Sequence, residues 1–284
     1  MTRYSTGSAD VLTLPAGALP AGARRTLVKL PSGWPRWMAG VCGLLVLLAI
    51  WWTITDLLAA PSSLAHRFSL ITAIGSLPSL WQNGLLLHVA VSLKRVLVGL
   101  LVALLAGVPL GLAIGSLRWL EAGASPSLQL LRMVSPLSWM PLAVMLFGVG
   151  DLPIYILLAL AAVWPIMLNT AAGVKQLDPA WLQLARSLAA TRRETVLRIV
   201  LPGILGNVLT GLRLAIGISW IVLVPCEMLG VSAGLGYMIL DTRDRLAYGE
   251  LMALVLLIGV LGFALDAAAQ GLSRLLLPGA RNNR

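Results

Sequence analysis

The groups that could do chemistry in this 284-residue chain are few and scattered. There are two histidines, His66 and His88, and two cysteines, Cys42 and Cys226, both cysteines inside apolar stretches. Neither a zinc set nor a disulfide framework can be built from them, and they read as buried free thiols. No glycine-rich phosphate loop occurs, and no Ser, His and Asp sit where a nucleophilic triad would need them. The chain on this reading hydrolyses nothing by itself. What the sequence offers instead is a handful of single charges in apolar surroundings (Lys94 and Arg95, Arg213, Glu227, Asp266) and one long polar stretch, QLDPAWLQLARSLAATRRETVLRIVLPGILGN, residues 176–207.

That stretch carries its own folding instructions. Asp178-Pro179 is a helix start, the carboxylate capping and the proline fitting the first turn. Trp181, Leu182, Leu184, Ala185 and Leu188 then recur at helical spacing, which predicts a helix over 179–188. Thr191 followed by Glu194 is a capping box that opens a second helix, with Val196, Leu197, Val200 and Leu201 on one face until Pro202 interrupts it. The pair has an apolar and a basic face. Taken alone, it reads equally well as an amphipathic pair lying on lipid headgroups or as a docking element for a partner.

The elements that must hold these residues follow from composition. The chain is 58% hydrophobic and 11% charged, with a mean hydropathy of +0.90, whereas soluble domains carry roughly a quarter of their residues as charges. A water-soluble enzyme is excluded, and a polytopic, all-α membrane protein remains. Stretches 37–55, 96–117, 133–150 and 152–174 contain no Asp, Glu, Lys or Arg, and each approaches the ~20 residues that cross ~30 Å of hydrocarbon. Two more, broken by Arg213 and Asp266, complete six helices at about 38–60, 86–115, 129–149, 153–174, 207–229 and 250–275. Residues 68–93, with Ser76, Pro78, Gln82 and Asn83, read as an external loop with a short surface helix; a seventh span there is the alternative.

The net charge of +10 would suggest nucleic acid in a soluble protein. Here the basic residues fall between apolar runs and serve orientation. With six spans and an internal N-terminus, fourteen of the 21 Lys and Arg residues lie inside and five outside (Arg67, Lys94, Arg95, Arg243, Arg245), with Arg132 and Arg213 near the inner helix ends. Both termini are therefore expected in the cytoplasm. The single charges admit two readings each. Arg213, about one turn into its span, either snorkels to the inner surface or contacts a transport pathway. Glu227 either lines an outer gate or caps its helix in water. Lys94 and Arg95 snorkel at the outer interface, or else attract an anionic substrate or dock an acidic partner, and His88 reads as a satisfied interface histidine rather than a ligand. Asp266 points into the bundle or pairs with a neighbour.

The loop also carries a resemblance. Arg186-Ser187-Leu188-Ala189-Ala190-Thr191, with Ile199-x-Leu201-Pro202 beyond, resembles the coupling-loop signature of binding-protein-dependent ABC importer permeases: Glu-Ala-Ala, three residues, Gly, and some nine residues later Ile-x-Leu-Pro. The Glu-Ala-Ala positions fall on Gln183, Leu184 and Ala185, the glycine on Ala189, and the Ile-x-Leu-Pro on Ile199, Leu201 and Pro202. Gln183, Leu184 and Ala189 depart from that pattern, and Ala189 is expected to make its turn with ordinary right-handed dihedrals and Thr191 as cap. Thr210 through Gly217, Ser219-Trp220, Glu227-Met228-Leu229, Gly234-Leu235-Gly236-Tyr237, Pro109-Leu110-Gly111 and Pro141-Leu142-Ala143 are similar to the nitrate, sulfonate and taurine group of these permeases. The likeness covers about residues 85–277.

The resemblance implies a type I ABC importer transmembrane domain over 85–277 with its coupling loop at 175–207. It is preceded by a flexible cytoplasmic tail (1–36) and a first helix with an external loop (37–84), and followed by a short tail (278–284). It implies a bacterial inner-membrane permease that moves a small oxyanion (an aliphatic sulfonate, taurine or nitrate) by alternating access. No cofactor is expected in this chain and no nucleic acid as partner; ATP and Mg belong to two ATP-binding subunits. The other partners are a periplasmic or lipid-anchored solute-binding protein, a second copy of the chain, and the lipid. The coupling residues are Gln183, Leu184, Ala185, Arg186, Leu188, Ala189, Thr191, Arg192, Ile199, Leu201 and Pro202. Leu184, Ala185 and Leu188 would form the apolar docking face, and Arg213, Trp220 and Glu227 are the candidates for pathway or gate. The rival is a secondary transporter or channel without an ATPase, which predicts ionisable relays at mid-membrane; only Arg213 and Asp266 come near that.

Overall fold

A computed structural model describes residues 36–58, 60 and 63–276. The tails expected over 1–36 and 278–284 lie outside the described residues apart from Arg36. Residues 1–49 and 50–284 form two units. Of the first, the description covers the start of helix α1 (Arg36–Trp52), a run of small and apolar residues with no charge after Arg36.

In the second unit the described residues are mostly helical, joined by short turns. Three short helices follow, α2 (Leu64–Arg67), α3 (Leu70–Gly75) and α4 (Leu77–Gln82). Ser63 and Ser69 cap the first two by accepting backbone N–H groups. Helices of four to six residues cannot cross a bilayer, so the polar stretch 68–82 adds no seventh span. Then come α5 (Leu85–Ser116), α6 (Arg118–Met133), α7 (Met140–Phe147), α8 (Asp151–Gln176), α9 (Pro179–Ser187), α10 (Arg192–Thr195), α11 (Leu201–Glu227), α12 (Leu235–Asp244) and α13 (Tyr248–Leu276). Among the described residues, five helices are long and apolar enough to cross a membrane, six if the bent pair α6–α7 counts as one.

Two expectations need correction here. The third span, read as continuous over 129–149, is broken: Pro126–Met133 and Pro136–Phe147 meet at 80°. Pro136 lacks an N–H and bars Ser135 from helical dihedrals, which Ser135 answers with an extended ψ of 130°. Pro202, conversely, interrupts nothing. A π-helical turn, Val196–Val200, joins α10 to α11, and Pro202 sits in the first turn of α11, where its missing N–H costs little.

α5 and α8 run parallel and α11 runs back between the same layers. Their seams are built from small residues. A Cβ placed on Gly111 would stand 2.5 Å from the Met167 carbonyl oxygen, so only glycine permits α5 to lie this close to α8. In a bilayer such close van der Waals packing replaces the hydrophobic drive that water would supply. The main core, Val96, Leu100, Ile154, Leu158, Ile166, Ala215 and Leu223, fills the space among α5, α8 and α11. A second cluster, Ala73, Leu80, Leu85, Leu235, Met238 and Leu254, fastens α3 and α4 onto α12 and α13. The bundle thus has one end at Leu85, Asp151, Glu227 and Tyr248, and the other at Ser116, Gln176, Leu201 and Leu276.

Candidate functional site

Three groups of candidate residues occupy three levels of the bundle. At the Gln176 end, Asp178 caps α9 by accepting the Ala180 N–H at 2.9 Å, with Pro179 beginning the helix. α9 ends in a Schellman closure: Ala190 N–H reaches back to the Ala185 carbonyl and Ala189 N–H to that of Arg186, each at 3.0 Å. This closure requires a left-handed residue, and Ala189 supplies it at φ 52°. The expected right-handed dihedrals at Ala189 are therefore wrong. Ala189 thus takes a conformation that glycine adopts freely, at a cost of roughly 1–2 kcal/mol for the Cβ.

The next helix opens as expected. Thr191 accepts the Glu194 N–H at 3.3 Å, while the Glu194 carboxylate takes the Thr191 N–H at 2.9 Å and its hydroxyl at 2.8 Å. These bonds hold the carboxyl of Glu194, which precedes the membrane-crossing stretch, below its usual range, the backbone N–H contributing most.

The exposed face of α9 differs from the expected one. Trp181, Leu184 and Leu188 are 57%, 49% and 72% exposed, a stripe at three- and four-residue spacing. Ala185, assigned to the same face, is turned inward and buried, because it lies one residue, about 100°, round the helix from Leu184. Gln183, Arg186, Ala189, Thr191, Arg192 and Pro202 are exposed, and Ile199 and Leu201 are half-buried. Exposed apolar side chains of this size, on well-capped backbone at the end of a bundle, are a candidate docking surface.

At the other end a network seals four segments together. Arg95 is 3% exposed. Its Nη1 donates to Glu227 Oε1 at 2.7 Å and to the Ala233 carbonyl at 2.6 Å, and its Nε and Nη2 reach Asp151 Oδ1 at 3.0 and 2.5 Å. The Ser92 hydroxyl lies 2.7 and 2.8 Å from the two Glu227 oxygens and accepts the Leu235 N–H at 2.8 Å. Gly236 N–H donates to Glu227 Oε2 at 2.9 Å, and Gly234 N–H to His88 Nδ1 at 3.0 Å. His88 stacks on Tyr237, ring centroids 5.9 Å apart. Gly234 has φ 125°, and a Cβ there would sit 2.5 Å from the Glu227 carboxylate, so no other residue fits.

Arg95 does not snorkel and Glu227 does not cap its helix in water; both are buried partners. His88, Ser92 and Arg95 stand at i, i+4 and i+7, one face of α5, a signal present in the sequence but obscured by the neighbouring Lys94, which is exposed.

Between these ends lies a second ion pair. Arg213 Nε donates to Asp266 Oδ1 at 2.7 Å and Nη2 to Oδ2 at 3.1 Å, and Gln270 donates to Oδ2 at 2.8 Å. Arg213 is twelve residues beyond Leu201 and fourteen short of Glu227, about 18 Å and 21 Å along the helix. The helix begins earlier than expected, so Arg213 is well inside rather than one turn from its end, and its guanidinium is committed sideways to Asp266. Trp220 stands two turns on, its indole N–H donating to the Ile258 carbonyl at 3.1 Å, wedged between α11 and α13. Cys226 is a buried thiol as expected, but Cys42 is exposed. Among the described residues, no three His, Cys, Asp or Glu side chains group as a metal site.

The chain belongs to the family of the binding-protein-dependent transport system inner membrane component, which matches residues 107–282. It is 33% identical to the taurine transport system permease protein TauC of Escherichia coli K12, over 83% of this chain and 87% of that one. It is 34% identical to the nitrate import permease protein NrtB of Synechococcus elongatus, over 70% and 73%. Its fold resembles a chain of the MetNI methionine ABC transporter, with a TM-score of 0.58 at 17% identity, covering 71% of this chain and 99% of the other. The chain is thus the membrane permease of an ABC importer with the type I architecture; it is a transport subunit, and ATP hydrolysis belongs to another subunit.

Proposed function

We propose that two copies of this chain form the translocation pathway for a small oxyanion, a sulfonate such as taurine or nitrate, in a bacterial inner membrane, driven by two ATP-binding subunits that dock on α9. The cargo reading is supported by the relatives, which are taurine and nitrate permeases. In this reading ATP and its Mg sit in the docked subunits, and a periplasmic or lipid-anchored binding protein delivers cargo at the Glu227 end. Both chain termini face the cytoplasm, in keeping with the fourteen-to-five distribution of basic residues.

The observation that carries the proposal is the exposed Trp181–Leu184–Leu188 stripe on a helix closed at both ends. A rigid, two-ended element can pass a displacement from an ATPase groove to α8 and α11, which it joins. Arg186 and Arg192 flank the stripe and set register against an acidic rim. At the far end, the Arg95–Glu227 network latches the Ala233–Gly236 segment to α5, which is the arrangement an outer gate needs. Trp220 holds α13 to α11 through both states.

In proteoliposomes holding the chain with its ATPase and binding protein, labelled taurine or nitrate should accumulate only when ATP is supplied. Accumulation of equal size without ATP would favour the secondary-transporter reading instead.

A further inference from the structure

We infer that Arg213 and Asp266 form a seat, in the inner half of the bundle, for one oxyanion group of the cargo, with Asp266 as the built-in counter-charge that keeps binding weak. The inference rests on the oxyanion-importer reading above and deepens it.

The first argument is depth. Arg213 lies near the middle of α11, and Asp266 is eighteen residues past Tyr248 and ten short of Leu276, about 27 Å and 15 Å from the two ends of α13. The second is exposure. Their side chains are 50% and 37% exposed in the single chain. A half-open charged pair avoids the cost of facing hydrocarbon only where it opens onto water, which a cargo path between the helices would supply. The contrast with Arg95, sealed on every side at 3% exposure, separates a structural guanidinium from an accessible one.

The third argument is geometry. Asp266 takes the Nε–Nη2 edge of the guanidinium and is itself held by Gln270. The Nη1–Nη2 edge makes no hydrogen bond among the described residues. That edge is a planar two-donor fork of the kind that matches two oxygens of a nitrate, sulfonate or carboxylate group. The fourth is charge. Empty, the pair is neutral. With one oxyanion seated it carries a single negative charge, shared with Asp266, so the anion is held loosely enough to leave, as any passage site requires.

The test uses the intact complex of this chain, its ATPase and its binding protein in proteoliposomes, with taurine and nitrate as probes. Arg213→Gln and the double variant Arg213→Gln/Asp266→Asn should keep binding-protein-stimulated ATP hydrolysis within twofold of wild type while uptake falls at least tenfold; Arg213→Lys should fall between. If the double variant moves as much anion per ATP as wild type, the pair only staples α11 to α13 and the inference is overturned. A direct measurement stands beside this. Phenylglyoxal labelling of Arg213 in the wild-type complex, read by mass spectrometry, should slow in the presence of taurine or nitrate relative to an uncharged solute at equal ionic strength. Absence of protection overturns the seat even where a variant fails to assemble. A wild-type complex that transports neither anion refutes the oxyanion reading itself, whereas normal transport with no protection at Arg213 refutes only the seat.

Discussion

Glu227 and Arg95 meet at 2.7 Å, sealed from solvent, although they stand 132 positions apart in the chain. Each satisfies what the other lacks. Glu227 takes the guanidinium, the Ser92 hydroxyl and the Gly236 N–H, and Arg95 spends its remaining donors on Asp151 and the Ala233 carbonyl. One buried carboxylate thereby ties α11, α5 and the start of α12 together, and one guanidinium adds α8. Burying charge this way gains little net stability over apolar packing, but it fixes which surfaces meet, since neither charge can be left alone.

Removing one partner should therefore cost far more than removing both. Glu227→Leu leaves Arg95 buried with Asp151 alone, which is 44% exposed, and is expected to destabilise the detergent-solubilised chain by about 3–5 kcal/mol. Arg95→Leu/Glu227→Leu should recover most of that loss, because Asp151 can remain in water. Thermal unfolding of the three proteins checks it. A double variant no more stable than Glu227→Leu would mean the pair is worth more than its desolvation cost.

Ala189→Gly should stabilise the α9 turn. The alanine sits at φ 52°, where a Cβ costs roughly 1–2 kcal/mol and glycine, after its greater chain entropy, recovers about 1 kcal/mol. Hydrogen exchange at the Leu188–Ala190 amides should then slow about fivefold. Ala189→Val should speed it, since a branched Cβ is worse in this region.

How much of this was legible in the sequence depends on how local each signal was. The α9–α10 pair was, because Asp178-Pro179 and Thr191-x-x-Glu194 fix their caps within four residues. The six apolar stretches were, because length alone announces them. The 80° break was not, since Pro126, Pro136 and Pro141 look alike in a row and only packing decides which one bends the chain. The Arg95 network was not legible either. Its members come from α5, α8, α11 and the turn before α12, and Arg95 beside Lys94 reads as a surface cluster until the fold turns one in and one out. The Ala189 turn was misread for a subtler reason: alanine prefers right-handed helix, but the Schellman closure of Ala190 onto Ala185 overrides that preference.

Thr191→Ala tests the second helix start. It removes the acceptor of the Glu194 N–H and a donor to its carboxylate, for a loss of about 1 kcal/mol. Acid should mimic it. The folded chain holds Glu194 below its ordinary value of 4.5. Its contribution is therefore fully present above that value and is lost as pH falls through the lower, folded one. Exchange protection of the Arg192–Thr195 amides, corrected for intrinsic rates, should drop on acidification in the wild type. The drop should be smaller in Thr191→Ala, which has less to lose; an equal drop in both would detach Glu194 from the cap.

The exposed stripe of α9 carries the strongest demand. Leu184 is half open to solvent in the single chain and stands between Trp181 and Leu188, so an ATPase groove that receives the stripe must bury it at the centre of the contact. Leu184→Asp would then carry an unpaired carboxylate into that groove, at a cost of several kcal/mol, a loss of affinity of about a thousandfold or more. Free in water, the same carboxylate costs almost nothing, because position 184 packs against little within the chain. The variant should therefore unfold at the wild-type temperature, yet fail to co-purify with its ATPase and fail to support uptake. Arg186→Ala is the contrasting control: a rim charge, exposed at the edge of the stripe, should slow association and weaken its salt dependence while leaving the complex intact. Leu184→Asp that still assembles and transports would move the coupling element away from α9, and with it the argument that this helix drives the bundle.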